Sequence, residues 1–184
     1  MGKTENSHRI RKIFCAALQQ IVQETQLTKL EPPVLGIVER MLDEVLSQKD
    51  ASPLLQKKKA ELLYADGNVA RAVELFEAAQ EGLPEDLDII TGLGAALYDL
   101  DRYQKALPYL EKSLVFYPDD EMIQFMTGFC LWQQGNREAS CSLLISALDN
   151  AYDEIMLQYP DKVTQLLKSY LNNSNAEAPQ PETP

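Results

Sequence analysis

Histidine is nearly missing from this chain: His8 is the single one in 184 residues. Catalytic triads and metal sites built on imidazole therefore have no material. Cysteine is scarce too. Cys15, Cys130 and Cys141 are odd in number and never spaced as Cys-x-x-Cys. That spacing disfavours a metal or disulfide role, and they read as small buried hydrophobes in a reducing cytosol. Positive charge is in deficit: 17 Lys and Arg stand against 28 Asp and Glu, a net charge of -11. Binding to nucleic acid or to an anionic membrane rests on cations, so neither is expected as a partner. The run Lys57-Lys58-Lys59 is too short to change that. No apolar run approaches the ~18 residues that span a bilayer, and no leader with a cleavage site is visible. A cytoplasmic protein is expected.

Catalytic motifs are equally thin. Gly92-x-Gly94 is a fragment of a nucleotide-binding signature, but it falls in a helical pattern with no preceding strand. The acidic clusters Glu85-Asp86-x-Asp88 and Asp119-Asp120-Glu121 fall at helix starts, where carboxylates complement the helix dipole. The expectation is a protein that is not an enzyme, with no catalytic residue, no cofactor and no metal.

What the chain does contain is a period. Ala60, Gly94 and Gly128 recur at an interval of 34 residues, as do Leu63, Leu97 and Leu131, and Tyr64, Tyr98 and Trp132. Gly67, Asp101 and Gly135 follow in register, then Ala72, Ala106 and Ser140, then Phe76, Leu110 and Leu144. Ala79, Ser113 and Ala147, and finally Pro84, Pro118 and Tyr152, complete the pattern. Apolar residues between these markers recur every three to four positions, which predicts helices. Each unit is thus a helix pair: small residues let the two helices approach, and Gly or Asp closes the turn between them. Each pair leaves apolar surface that only the next can cover.

The expected organisation follows. Residues 1–50 form an N-terminal helical extension, with Ser7 capping a helix that carries Ile10, Phe14, Leu18 and Ile21 on one stripe. Pro33 opens a second helix. Residues 53–154 hold three helix pairs, 53–86, 87–120 and 121–154. Tyr152 in place of the last proline leaves the third pair without a sharp stop. Residues 155–171 form a capping helix, and 172–184 a disordered tail with no bulky apolar residue.

The repeat resembles the tetratricopeptide repeat, whose period and order of small, bulky, turn and proline residues it reproduces. The fold class so implied is all-α, a tetratricopeptide-repeat superhelix of three helix pairs with a helical extension at each end. Such repeats hold polypeptides. The length, the acidity, the N-terminal extension and the middle repeat Gly92-Leu93-Gly94-Ala95 with Tyr103 and Ala106 also resemble the class II chaperones of bacterial type III secretion, a virulence system. That resemblance implies a cytoplasmic chaperone holding an extended segment of a translocator before export. It also implies a possible homodimer through the N-terminal helices, for which Ile10, Phe14, Leu18 and Ile21 are the candidates. A general repeat scaffold in another assembly is the alternative.

In a helix-pair solenoid the first helices line the concave side. Periodicity then selects Lys57, Glu61 and Tyr64 from the first repeat, and Thr91, Ala95 and Tyr98 from the second. From the third it selects Met122, Phe125, Met126, Phe129 and Trp132. A helix apolar nearly all round is covered by something. For the third set the cover is either an apolar protein client or the chain's own termini. Tyr64, Tyr98 and Trp132 are either client contacts or packing between repeats. A clamp for a terminal carboxylate is disfavoured: Lys57 suits it, but Glu61, Gly92, Met122 and Met126 do not.

Overall fold

The computed structural model describes residues 2–24, 27, 30–47 and 51–176. The described residues form helices and connections without a strand. In order these are α1 (Gly2–Glu24), α2 (Pro32–Leu46), α3 (Pro53–Ala65), α4 (Val69–Gly82), α5 (Leu87–Asp99), α6 (Tyr103–Phe116), α7 (Glu121–Gln133), α8 (Arg137–Gln158) and α9 (Pro160–Ala176). The chain divides into two compact units, residues 1–112 and 113–184.

In the first unit α1 and α2 pack on α3. Leu18, Val22, Leu27, Val38, Leu42 and Val45 are buried together with Leu55 and Leu62 of α3. Gln19 donates a side-chain hydrogen bond to Ser52, and Lys59 pairs with Asp43 at 3.3 Å. The extension is thereby anchored to the first repeat. Ser7 is not the cap expected of it: α1 already begins at Gly2 and Ser7 lies inside it. Lys3 and Glu5 are good helix formers, so the backbone has no cause to break there.

The repeats then follow one geometry. Gly67 (φ 79°), Asp101 (φ 56°) and Gly135 (φ 82°) take the left-handed conformation at their turns. The next residue's N–H closes each turn on the carbonyl five residues back: Asn68 on Leu63 at 2.8 Å, Arg102 on Leu97 at 2.9 Å, Asn136 on Leu131 at 3.0 Å. This is the Schellman-type ending of a helix. Small residues meet bulky ones behind it. A Cβ on Gly94 would lie 3.0 Å from Leu110 of α6, and one on Gly128 would lie 2.9 Å from Leu144 of α8. Pro108 sits within α6, where it forfeits one hydrogen bond of the helix.

In the second unit α8 runs on to Gln158 across one non-helical residue, Ala151 (φ -136°). Tyr152 replaces the proline that would have stopped the helix sharply. Asn172 to Ala176 belong to α9 rather than to a disordered tail. Residues 177–184 of the expected tail lie outside the described residues.

Candidate functional site

The first helices of the first two repeats are linked at both ends of one face. At one end Lys57 of α3 donates to Asp86 Oδ1 and Oδ2 at 2.8 and 2.9 Å, and to Asp88 Oδ2 at 2.7 Å. Asp86 is also the N-cap of α5, accepting from the N–H groups of Asp88 and Ile89. At the other end Tyr64 of α3 donates to Asp99 Oδ2 at 2.7 Å. Lys57, Glu61 and Tyr64 share a face of α3, and Asp88, Thr91, Ala95 and Asp99 share a face of α5, by helical spacing. The two links prove that these faces adjoin. Between them the helices present Glu61, Thr91 and Ala95, all half-buried. Glu61 pairs with Lys58 at 2.8 Å.

Lys57 is therefore not a free cation for a client. It is 6% exposed and held by two carboxylates. Burial opposes its charge, but hydrogen bonds and the charges of Asp86 and Asp88 outweigh that, so its pKa is raised. The Asp86 carboxyl is lowered: burial again opposes the charge, and Lys57 and the two backbone N–H groups prevail. Tyr98 is fully buried against Tyr103, ring centroids 5.7 Å apart. It is internal packing, not a client contact. Gly92 is filled from behind, since a Cβ there would stand 2.7 Å from Phe76 Cζ. It offers no pocket.

The third-repeat residues correct the reading of an open apolar groove. Phe125 and Phe129 are completely buried and Met126 nearly so. Their cover includes the chain's own C-terminal segment. Tyr159 stacks on Phe125 (5.9 Å, 18°) and its hydroxyl reaches Met126 Sδ at 3.8 Å. Lys162 lies over the Phe129 ring at 5.4 Å, and Val163 is buried as well. Met122 and Trp132, near the two ends of α7, stay half-buried. Trp132 packs on Phe129 at 5.3 Å.

The N-terminal candidates divide. Leu18 is fully buried in the core with α2 and α3, and Phe14 packs against that core. Leu18 is thus unavailable to a second chain. Ile21 is 43% exposed, and the side chain of Ile10 lies outside the described residues. Among the described residues no group of three or more His, Cys, Asp or Glu could hold a metal ion. No helix among them is long and apolar enough to cross a membrane. Cys130 is buried, and burial pushes its thiol up to about 12.

Two units of helix pairs with one turn geometry, small residues seated against bulky ones, and linked first helices leave a single architecture. The fold is that of tetratricopeptide-repeat proteins. A family model described as tetratricopeptide repeat matches residues 63–127. No curated protein matches the sequence at a significant level. Solved tetratricopeptide structures share the fold at low identity. MamA 41-end from Desulfovibrio magneticus RS-1 is 18% identical, with 91% of this chain and 97% of that chain covered and a TM-score of 0.57. MamA of AMB-1 is 17% identical over 95% and 96% of the two chains, with a TM-score of 0.59. YrrB, described as a tetratricopeptide protein with an unusual peptide-binding site, is 18% identical over 85% and 76%, also at 0.59.

Proposed function

We propose that this tetratricopeptide protein is a non-catalytic holder of another polypeptide, and that its client is a translocator of type III secretion kept in the cytoplasm before export. The observation that supports a holding role is the face shared by α3 and α5. It is fixed at both ends by Lys57–Asp86/Asp88 and Tyr64–Asp99, and carries small side chains, Thr91 and Ala95, between. An extended backbone can lie close to a surface built that way. The peptide-binding site named for YrrB is in keeping with such a role. The export role rests on the sequence resemblance to class II secretion chaperones.

Co-expression with a tagged translocator tests it. The client should become soluble and co-purify. Ala95→Trp or Thr91→Lys should remove it while circular dichroism keeps its helical signal. A client that stays insoluble would end the export reading. One that binds both variants undiminished would end the assignment of this face. Phe125 and Phe129 are the wrong positions for such a test. Both are buried under the chain's own C-terminal segment, so a glutamate there breaks the fold first.

A further inference from the structure

We propose that the C-terminal ends of α7 and α9 form a second docking surface, one that takes an acidic, apolar segment of another polypeptide. A leucine or aromatic side chain of that segment sits over Trp132 and Leu167, and a carboxylate meets Lys168. The surface is distinct from the α3–α5 face and does not rest on the export role.

The seam between α7 and α9 follows from its contacts. Phe125 of α7 stacks on Tyr159, just before α9, and Lys162 of α9 lies over the ring of Phe129. One turn further along, helical spacing brings Trp132 of α7 to Leu166 and Leu167 of α9. Trp132 and Leu167 stand two intervals on from Tyr64 and Asp99, which close the α3–α5 seam with a hydrogen bond. An indole and a leucine cannot make that bond, so this end of the seam is apolar. It is also uncovered. Trp132 leans on Phe129 but stays half-buried, as does Leu166. Leu167 and Tyr170 are 52% and 72% exposed. The apolar stripe of α9 is thus covered at Val163 and open one turn later.

The rim names the chemistry of the occupant. Residues 172–184 hold no bulky apolar side chain, so they do not fill the seam. Lys162 and Lys168 are the charged residues from 162 to 176, within a chain of net charge -11. Lys168 is exposed beside Leu167. An apolar seat with a cationic rim favours an apolar segment that carries carboxylates and rejects one that carries lysines.

Trp132 is the single tryptophan of the chain, so its fluorescence reports on this surface alone. The probe is the unlabelled peptide acetyl-Glu-Ser-Phe-Leu-Ser-Glu, titrated into the full chain. Trp132 emission should move to shorter wavelength and saturate. An Ala-for-Phe-and-Leu peptide and a Lys-for-Glu peptide should bind at least fivefold more weakly. Leu167 and Lys168 are exposed, so Leu167→Ser and Lys168→Glu should stay folded by circular dichroism. The first is expected to weaken the acidic peptide about five- to tenfold, the second about two- to fivefold. Salt raised from about 50 to 300 mM should weaken it further. Ile13→Ser, an exposed apolar change on α1, should leave binding as it is. The proposal is overturned if Trp132 emission does not respond, if the lysine peptide binds as well as the acidic one, or if neither α9 variant changes binding. Light scattering that shows a dimer lost in Leu167→Ser would place a second copy on the seam and overturn the choice of occupant.

Discussion

Lys57→Met removes the ammonium that ties α3 to the start of α5 and keeps most of the apolar stem. The cost can be worked from the contacts. Lys57 gives two hydrogen bonds to Asp86 and one to Asp88. A hydrogen bond involving a charged group contributes about 1.5–3 kcal/mol. Truncating one partner of a fully buried pair costs about 3–5 kcal/mol, because a charge is then left alone. Asp86 is not left alone: the N–H groups of Asp88 and Ile89 remain on its carboxylate at 3.0 and 3.2 Å. The Asp88 contact is largely exposed and adds little. The expected loss is about 2 kcal/mol, at the low end of the range for charged hydrogen bonds.

Urea denaturation followed by circular dichroism measures it. A double-mutant cycle with Asp86→Asn, which remains a competent N-cap, should return a coupling of about 1–2 kcal/mol. The pH dependence follows from the two shifts. Asp86 titrates lower in the folded chain than in the unfolded one. Its contribution is therefore present above the ordinary carboxylate range and lost as pH falls through its depressed folded value. Lys57 titrates higher when folded. Its contribution is full below the ordinary lysine value and lost as pH rises through the raised one. Wild type should lose stability at both extremes, and Lys57→Met should lose less at each. A Lys57→Met chain as stable as wild type, with a coupling below about 0.3 kcal/mol, would refute the assignment of Lys57 as a structural link.

Other outcomes are expected. Gly92→Ala should cost about 1–3 kcal/mol in denaturant melts, because its methyl collides with the buried ring of Phe76; adding Phe76→Leu should recover part of that. Asp101→Gly relieves a left-handed non-glycine residue but gives up the hydrogen bond from Tyr103, so a gain of no more than about 1 kcal/mol is expected in the melting curve. Alkylation of the native chain at mildly alkaline pH, read by mass spectrometry, should label exposed Cys141 and spare Cys130, whose thiol is buried and pushed up to about 12.

The repeat was legible in the sequence because its markers are steric. Gly67, Asp101 and Gly135 sit where the backbone turns left-handed, and Gly94 and Gly128 sit where a neighbouring helix leans in. Those needs recur in each unit and leave the same residue types at the same interval. The candidate site was less legible. A lysine on a helical stripe reads as solvent-facing, and only Asp86, 29 positions on, shows that Lys57 faces the next repeat. Helical spacing alone cannot say whether an apolar stripe meets a client or a sibling helix, since both leave the same pattern. The clue for Phe125 was Tyr159, 34 residues later: the period runs on past the third pair, and the residue just before α9 supplies the cover.

Lys57 and Phe125 sit at equivalent positions of the first and third repeats, two intervals apart. Each packs at the start of the next helix on its own side, Lys57 at the start of α5 and Phe125 just before α9. In the first repeat the contact is ionic, Lys57 on Asp86 and Asp88. In the third it is aromatic, Phe125 against Tyr159. The same geometric task is met by two chemistries, so the difference between the rows at this position says how each repeat holds its neighbour. It does not, by itself, describe a client. Glu61 and Ala95 form the adjacent row, and its third member, Phe129, is buried with Lys162 over its ring. Only in the first unit does that row keep accessible surface beside small side chains. Substitutions at Lys57 or Phe125 should therefore register first in stability, and substitutions at Ala95 first in what the chain retains from a mixture. A variant of Ala95 that melts early yet binds normally would reverse that division.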